Sequence, residues 1–433
     1  MCTIALFSLA QDASAQGFKI QESGPSHGNA GAGSAATADD PSTVFFNPAG
    51  MTGIEGNHGS VLIKWINGGI RYRDKGSQDL LGGAMQGGNG RNAAENKLFP
   101  SFFAVVDHSE DVRYGIGVNA PFGLATDYGD SWAGRYHATE SSLVTININP
   151  AAAWRVNEQW SVGAGVNVQY LDVSLENAID FGSIGVDELG AGPAGQLGLR
   201  PQRDDGSVEI TGDSWGVGLN AGVLYELQPG TRFGLAWRSK VDHTLEGDAD
   251  FRVPRDARRL TAAGAFRDTG AEADITIPTS VLLGVSHDVA PEWTLVGGFE
   301  WTDFSEFRQI KVEFDSPKQD PLIERQDWDD TTRTMAGVIW RPGDDWTFRF
   351  GAAYDSSPVD RSTRRPRLPD SSRATLAVGV GYKLNERTSI EFGYMRAWWA
   401  SAKIDIDGDV AGRLRGDVRS TVNYFGLAVT FSF

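Results

Sequence analysis

Strand-like alternation repeats along most of this chain and limits the folds open to it. From Gly59 onward, fourteen segments place apolar residues at every second position or are rich in aromatic residues. They span roughly 59–74, 98–108, 112–124, 141–156, 160–174, 213–227, 231–246, 273–288, 293–314, 332–341, 346–355, 371–383, 388–405 and 417–433. Such two-faced strands predict an all-β chain whose sheet meets an apolar medium on one face.

The connections between these segments alternate in length. Short turns such as 157–159 and 228–230 alternate with long polar connections, for example 175–212 and 247–272. Short turns on the periplasmic side and longer loops outside are typical of bacterial outer-membrane proteins. The pattern therefore predicts a transmembrane antiparallel β-barrel of about 14 strands over residues 59–433. Because fourteen is even, both chain ends are expected on the periplasmic side.

The composition is compatible with a barrel and argues against other classes. No run of about eighteen apolar residues occurs, so no hydrophobic transmembrane helix is expected. The formal net charge of -17 argues against nucleic acid as a partner. Cys2 is the only cysteine, which excludes an intrachain disulfide and a cysteine-based zinc site.

The first fifteen residues are typical of the end of a secretory signal peptide. A short apolar run, Ile4 to Ala10, precedes Ala13-Ser14-Ala15, which fits a cleavage site. We therefore assign residues 1–15 to a signal peptide.

Residues 16–58 are rich in Gly and Ala and show no alternation, so they are not expected to be part of the wall. Fourteen strands enclose a lumen too wide for wall side chains to fill, which predicts that this segment is a plug of short helices and loops. Val44, Phe45 and Phe46 favour burial over the alternative of a disordered periplasmic tail. The plug motif Asn47, Pro48 and Ala49 follows directly and is expected to form its last bend.

The C-terminal strand alternates to its last residue, Phe433. A terminal Phe on such a strand resembles the signal that bacterial barrels present to the barrel assembly machinery, which is therefore an expected partner.

Several motifs in order along the chain resemble the FadL-type long-chain fatty acid transporter family, including its TodX-like members that act on aromatic hydrocarbons. They are Gly28-Asn29-Ala30-Gly31-Ala32-Gly33, Phe46-Asn47-Pro48-Ala49-Gly50-Met51, Asn119-Ala120-Pro121-Phe122-Gly123, Gly134-Arg135-Tyr136-His137-Ala138 and Asn147-Ile148-Asn149-Pro150. The resemblance implies passive uptake of a hydrophobic small molecule, most simply a long-chain fatty acid. It also implies an outer groove, an interior site and a sideways exit through the wall.

The resemblance places that exit at a kink in the third strand, here formed by Asn119, Pro121, Phe122 and Gly123. Proline removes a ladder donor and glycine weakens a strand, so both disfavour regular pairing. The alternative is that the strand simply ends at Ala120.

The outer groove is expected from apolar residues in two long loops: Leu175, Ile179 and Phe181 in one, and Phe251, Leu260 and Phe266 in the other. Apolar side chains on outer loops either offer a surface to a ligand or pack on one another, and both readings remain open.

A carboxylate bound inside the barrel would require a cation. The resemblance implies this role for Lys311, against the alternative of a solvated lysine at a strand end. The family's second cation is an arginine on the fifth strand, but this sequence has Asp172 at about that position. The absence of this cation leaves a neutral hydrocarbon as an alternative ligand.

No enzyme is predicted, because the sequence shows no nucleophile elbow and no acid–base set, so no catalytic residues are assigned. The six histidines are dispersed, and neither a metal site nor a cofactor is expected. The basic stretch Arg364-Arg365-Pro366-Arg367 could meet lipopolysaccharide phosphates or remain solvated. We expect a monomer. A structural or adhesive barrel is a further alternative function.

Overall fold

The structure, a computed structural model, describes residues 17–20, 25–408 and 410–433. The assigned signal peptide, residues 1–15, lies outside this range. Within it, no helix has the length and apolar character needed to cross a membrane.

Twenty strand segments form one antiparallel sheet that closes on itself. The first ten are β1 (His58–Asp74), β2 (Lys97–Asp107), β3 (Val112–Asn119), β4 (Gly123–Asp127), β5 (Glu140–Arg155), β6 (Trp160–Asp180), β7 (Asp205–Gln228), β8 (Thr231–Arg238), β9 (Val241–Arg252) and β10 (Thr269–Ile277). The others are β11 (Ser280–Ala290), β12 (Trp293–Thr302), β13 (Gln309–Phe314), β14 (Leu322–Arg325), β15 (Thr331–Trp340), β16 (Trp346–Asp355), β17 (Arg373–Asn385), β18 (Thr388–Trp399), β19 (Ala402–Gly408) and β20 (Gly412–Ser432). β20 pairs with β1 along its length, and this pairing closes the barrel.

Six wall strands are each interrupted once, so the twenty segments form fourteen wall strands. The interrupted strands are β3–β4, β8–β9, β10–β11, β12–β13, β14–β15 and β18–β19. The predicted fold class, an all-β antiparallel barrel of about 14 strands, is confirmed.

The outer ends of several strands are longer than predicted. β6 continues to Asp180 and β7 begins at Asp205, so much of the predicted loop 175–212 belongs to the wall. β9 and β10 shorten the predicted loop 247–272 in the same way. The sequence obscures these extensions because their outward faces are polar; in β7, buried Val208 and Ile210 alternate with Glu209 and Thr211.

A helical hairpin occupies the remainder of the loop between β6 and β7. It consists of α2 (Phe181–Leu189) and α3 (Ala191–Gln196). The Asp180 side chain caps α2 by accepting a hydrogen bond from the backbone N–H of Ser183 at 2.9 Å. Gly190, with φ of 83°, provides the left-handed turn between the two helices. Short 3-10 helices cover Arg255–Arg259 and Phe304–Glu306.

The plug precedes β1 and fills the lumen with short elements. It contains a 3-10 helix over Pro25–Asn29, the short α1 (Thr43–Phe46) and a 3-10 helix over Pro48–Gly53. Val44 and Met51 are completely buried, and they lie against the inner face of β3.

Inward-facing glycines seat the plug against ten of the fourteen wall strands. At each position a Cβ would contact plug atoms within 3.2 Å. They are Gly115, Gly163, Gly222, Gly234, Gly284, Gly337, Gly351, Gly379, Gly393 and Gly426. The small inner faces that the sequence shows on its strands therefore allow close approach of the plug backbone to the wall.

The outer surface of the wall carries an aromatic girdle near the short turns. Trp154, Trp160, Trp293 and Trp346 are all more than two-fifths exposed. Trp293 stacks on Trp340 with ring centroids 5.4 Å apart. Outward-facing amphipathic rings at the strand ends fit a membrane interface.

Candidate functional site

Asn47 fastens the plug to the wall. Its fully buried side chain donates hydrogen bonds to the carbonyls of Ala35 at 2.7 Å and Val223 at 3.1 Å, and accepts one from the Ala49 N–H at 3.1 Å. A Cβ on Gly222 of β7 would lie 1.9 Å from the Asn47 amide oxygen. Asn47, Pro48 and Ala49 therefore join two parts of the plug to one wall strand.

We expect Asn47→Ala to lower uptake of a hydrophobic substrate while the barrel still assembles. The substitution leaves two carbonyls and one N–H without their partner, at about 1–3 kcal/mol for each buried group. Asn157→Ala, in an exposed periplasmic-type turn, is the matched control. Uptake in cells and heat-modifiable gel mobility would report function and assembly separately; unchanged uptake would show that the motif is only a turn.

The third wall strand is interrupted at the predicted kink. β3 ends at Asn119, residues 120–121 make no ladder pairs, and β4 begins at Gly123. The strand thus resumes beyond Pro121 instead of ending there. Ala120, Pro121 and Phe122 are all buried, because the chain at this point turns toward the plug.

The interruption separates the third wall strand from the second. β2 pairs with β3 only from Phe102 opposite Val118 to Asp107 opposite Arg113. β4 pairs with β5, and a single bridge from Ala94 to Thr126 rejoins the two sides further out. In the described chain no ladder pairing joins β4 to the part of β2 before Phe102. We call the opening between these two parts of the wall the wall gap.

The N-terminal segment, residues 17–20, lies along the inner edge of the wall gap. Lys19 forms an antiparallel bridge with Phe122, flanked by hydrogen bonds from Ile20 N to Pro121 O and from Gly123 N to Phe18 O, both 2.9 Å. The segment thereby supplies β-partners to the kink that β2 does not supply.

Polar contacts hold both ends of the N-terminal segment. The Lys19 ammonium pairs with Glu300 of β12. The Gly17 N–H donates to the Asp370 carboxylate at 3.0 Å, which also accepts from the Ser357 hydroxyl at 2.8 Å. Burial raises the pKa of Asp370, in the loop between β16 and β17, to about 7.

Two cavities meet at the N-terminal segment. The gap cavity is lined by Lys97 and Phe99 of β2, residues 123–125 of β4 and, further inside, Asp370 and Arg373. The interior cavity lies between the plug and the wall, and is lined by residues that include Phe45, Pro121, Arg238, Glu300 and Arg333. Lys19 and Ile20 line both cavities, so movement of this short segment would connect them.

Phe18 occupies the centre of an aromatic cluster above the plug. Its ring lies 5.6 Å from Phe122, 5.8 Å from Phe304 and 5.8 Å from Trp328, measured between centroids. The cluster continues outward through buried aliphatic side chains such as Leu171. The cluster therefore lines an apolar path through the lumen, and the Phe18 ring occupies this path.

Five of the six predicted groove residues belong to one outer apolar cluster: Ile179, Phe181, Phe251, Leu260 and Phe266. Phe181 is fully buried and lies 5.0 Å from Phe266 between ring centroids, so part of the set packs on itself. Phe251, Leu260 and Phe266 remain half-exposed.

Leu175 lies deeper than the other groove residues. It lines a small apolar cavity with Val173 and Ile310, between the outer cluster and the aromatic cluster. The apolar surface is thus continuous from the outer loops toward the plug.

Lys311 lies outside these cavities. Strand alternation turns Val312 inward to the outer cluster and Lys311 to the opposite face, where its ammonium pairs with Glu313. The geometry therefore gives Lys311 no access to the interior cavity. The cations that line that cavity are Lys19, Arg238 and Arg333.

Arg238 is a candidate that the sequence did not single out. Its guanidinium donates to the Phe45 carbonyl at 2.7 Å and to the Asn167 side chain, and lies 4.1 Å from the centroid of the Phe45 ring. Buried amides surround this point, including Asn147, Asn167 and Asn220. The available signal was the row of inward-facing asparagines on β5, β6 and β7.

The basic stretch 364–367 folds inward. Arg364 donates to the carbonyl of Asp370 at 2.8 Å, and Arg367 pairs with Glu324 at 3.3 Å. Both side chains are buried. These two arginines therefore hold the loop across the outer mouth and are turned away from surrounding lipid. Among the described residues, no group of three His, Cys, Asp or Glu side chains is arranged to hold a metal ion.

Comparison with known proteins identifies similar chains. Residues 6–433 match the family described as "Outer membrane protein transport protein (OMPP1/FadL/TodX)". The chain is 30% identical over 400 residues to the long-chain fatty acid transport protein of Escherichia coli O6:H1, covering 90% of this chain and 88% of that protein. It is 28% identical to outer membrane protein P1 of Haemophilus influenzae, covering 99% and 98%.

Solved structures show the same fold. A Pseudomonas aeruginosa FadL homologue matches with a TM-score of 0.88 at 23% identity, covering 96% of this chain and all of that chain. The Pseudomonas putida toluene transporter TodX matches with a TM-score of 0.67 at 15% identity, covering 98% and 99%.

Proposed function

Because this chain belongs to the OMPP1/FadL/TodX family of outer-membrane proteins, we propose that it mediates passive uptake of hydrophobic compounds, with long-chain fatty acids as its principal substrates. The observation that carries the proposal is the continuous series of apolar surfaces between the outer loops and the wall gap. Binding of the substrate and its concentration gradient supply the driving force.

The proposed route has four steps. A substrate binds at the half-exposed outer residues Phe251, Leu260 and Phe266, then passes the small cavity near Leu175. It displaces the Phe18 ring from the aromatic cluster and occupies the interior cavity. Movement of the N-terminal segment then opens the gap cavity, and the substrate leaves sideways between β2 and β4 at the kink formed by Asn119, Pro121, Phe122 and Gly123.

The polar end of a fatty acid is assigned to Lys19 and Arg238 in place of Lys311. Both line the interior cavity, whose other walls include Phe45, Phe46 and Leu282. A carboxylate in such a site is stabilised by charge-assisted hydrogen bonds, which are stronger than those between neutral groups. The acyl chain is then in contact with the apolar walls.

Arg238→Ala should reduce uptake of oleate by about tenfold and leave uptake of toluene nearly unchanged, because only the carboxylate uses the cation. Arg238→Lys, which keeps the positive charge, should retain most oleate uptake. The measurement is initial uptake of each radiolabelled compound by cells at equal surface expression. Equal losses for both compounds would assign Arg238 to plug structure and not to the carboxylate.

A neutral hydrocarbon remains the second candidate substrate. It is favoured by the largely apolar route and by the position of Lys311 away from the cavity. Cells with and without the gene would be compared for uptake of oleate, toluene and an alkane. Faster uptake of toluene or alkane alone would favour this candidate, and equal uptake of all three with or without the gene would contradict transport.

We also make proposals about the oligomeric state, the orientation in the membrane and the partners of the protein. We infer that it works as a monomer without catalysis, that both termini lie in the periplasm, and that the exposed C-terminal Phe433 is recognised by the barrel assembly machinery. It would also contact outer-membrane lipopolysaccharide. A purely structural or adhesive barrel would keep its function after deletion of the plug, whereas the transport proposal requires the plug.

A further inference from the structure

Acidic side chains form rows across the outward face of the wall, at its outer side. Asp172 of β6 lies opposite Asp213 of β7, Asp213 opposite Glu246 of β9, Glu246 opposite Glu272 of β10, and Glu272 opposite Glu313 of β13. All five side chains are exposed. We call this set the first carboxylate row.

A second carboxylate row runs parallel to the first, further from the membrane. Glu140 of β5 lies opposite Glu176 of β6, Glu176 opposite Glu209 of β7, and Glu209 opposite Asp250 of β9. Side chains directly opposite on neighbouring strands have Cβ atoms about 4.5–5.5 Å apart, and like charges in such pairs are destabilising. The local cations are few, chiefly Lys311 beside Glu313 and Arg252 near Glu176.

The rows begin where the apolar outer surface ends. On β6 and β7 the last outward aromatic residues are Tyr170 and Trp215, whose rings are 5.2 Å apart. The next outward residues are Asp172 and Asp213. Since aromatic rings favour the membrane interface, the carboxylates lie at the level of the lipid head groups and just beyond it.

A cleft beside Glu176 of the second carboxylate row provides an independent indication of a ligand. It is lined by Asp130, Thr139, Glu176, Asp205 and Arg252, among others. Thr139 is only 4% exposed, and its hydroxyl has no hydrogen-bond partner. An unsatisfied buried hydroxyl is costly unless something binds it, and a hydroxyl is an oxygen ligand for hard cations.

We propose that this cleft binds a divalent cation such as Ca²⁺, through the Glu176 and Asp130 carboxylates and the Thr139 hydroxyl. Asp205 is already paired with Arg135 at 2.8 Å and contributes charge only. Ca²⁺ takes about 6–8 oxygen ligands, so water or the phosphate of a neighbouring lipid completes the shell. The bound ion would also offset the repulsion within the second row.

The test is thermal unfolding of the purified full chain in detergent, in EDTA, in CaCl₂ and in NaCl at matched ionic strength. Ca²⁺ should raise Tm by several degrees more than NaCl does. Glu176→Gln/Glu209→Gln removes two repelling charges, so it should raise Tm in EDTA and abolish the additional Ca²⁺ effect. Glu188→Gln, an exposed acidic residue on α2, is the matched control and should behave like the parent. Equal shifts with NaCl and CaCl₂, or a full Ca²⁺ effect in the double variant, would overturn the proposal.

Thr139→Val gives a second readout that does not depend on charge. If the hydroxyl is a ligand, this isosteric change should weaken Ca²⁺ binding, measured by equilibrium dialysis with ⁴⁵Ca²⁺, by about tenfold. If it is not a ligand, removing an unpaired buried hydroxyl should leave Ca²⁺ binding unchanged and raise Tm. The second result would contradict the proposed site.

Discussion

Ala125→Arg should reduce oleate uptake by at least about tenfold, because the long arginine side chain would fill part of the gap cavity through which the substrate must pass. Ala125 lies on β4 and lines the gap cavity together with Phe99 and Glu95. The substitution leaves the plug motif and the outer cluster untouched.

Ala125→Ser is the matched control, since it occupies the same position without filling the gap cavity. Initial rates of oleate uptake would be measured at equal surface expression, together with binding of oleate to purified protein. We expect normal binding and a slow rate for the arginine variant. A normal rate would show that substrates leave by another route.

Much of the fold could be predicted from the sequence because barrel strands carry their signal locally. Alternation and short turns, such as the turn at Gln228-Pro229-Gly230, identify the fourteen wall strands. The predicted strands were too short where the outward face becomes acidic, as in β9. Beyond the membrane this face no longer needs apolar residues, so the sequence there resembles a polar loop. The interruption of the third wall strand was predictable from Pro121 and Gly123, since both residue types disfavour ladder pairing.

The residues lining the cavities were harder to predict because they depend on distant contacts. The 3-10 helix Phe304–Glu306 interrupts the wall strand between β12 and β13. The alternation of inward and outward residues in β12 therefore does not predict which way Lys311 of β13 faces. The bridge between Lys19 and Phe122 joins positions far apart in sequence, so no local sequence pattern predicts it. In the sequence Arg238 resembles an ordinary arginine at the end of a strand. Only the folded plug brings the Phe45 ring next to its guanidinium.

A cysteine pair at Lys19 and Phe122 should make uptake dependent on redox state. The hydrogen bonds on either side of this bridge show that it is a non-hydrogen-bonded pair, with Cα atoms expected about 4.5 Å apart. That separation is within the range of disulfides. Lys19→Cys/Phe122→Cys would therefore join the N-terminal segment to the kink when oxidised. Cys2→Ser removes the only native cysteine from the background.

The single variants Lys19→Cys and Phe122→Cys are the controls. The first accounts for loss of the Lys19 ammonium, which pairs with Glu300 and is assigned to the substrate carboxylate, and the second accounts for loss of the Phe122 ring. Each is expected to be insensitive to oxidant and reductant. Any change common to the singles and the double variant in the reduced state would be attributed to these losses.

Whether movement of the N-terminal segment opens the wall gap to substrate can be measured as the oleate uptake rate of the double-cysteine variant before and after reduction. We expect a rate at least about tenfold lower in the oxidised form, with recovery on reduction to the level of the single variants. An oxidised protein that takes up oleate as fast as its reduced form would show that substrate passage does not need this movement.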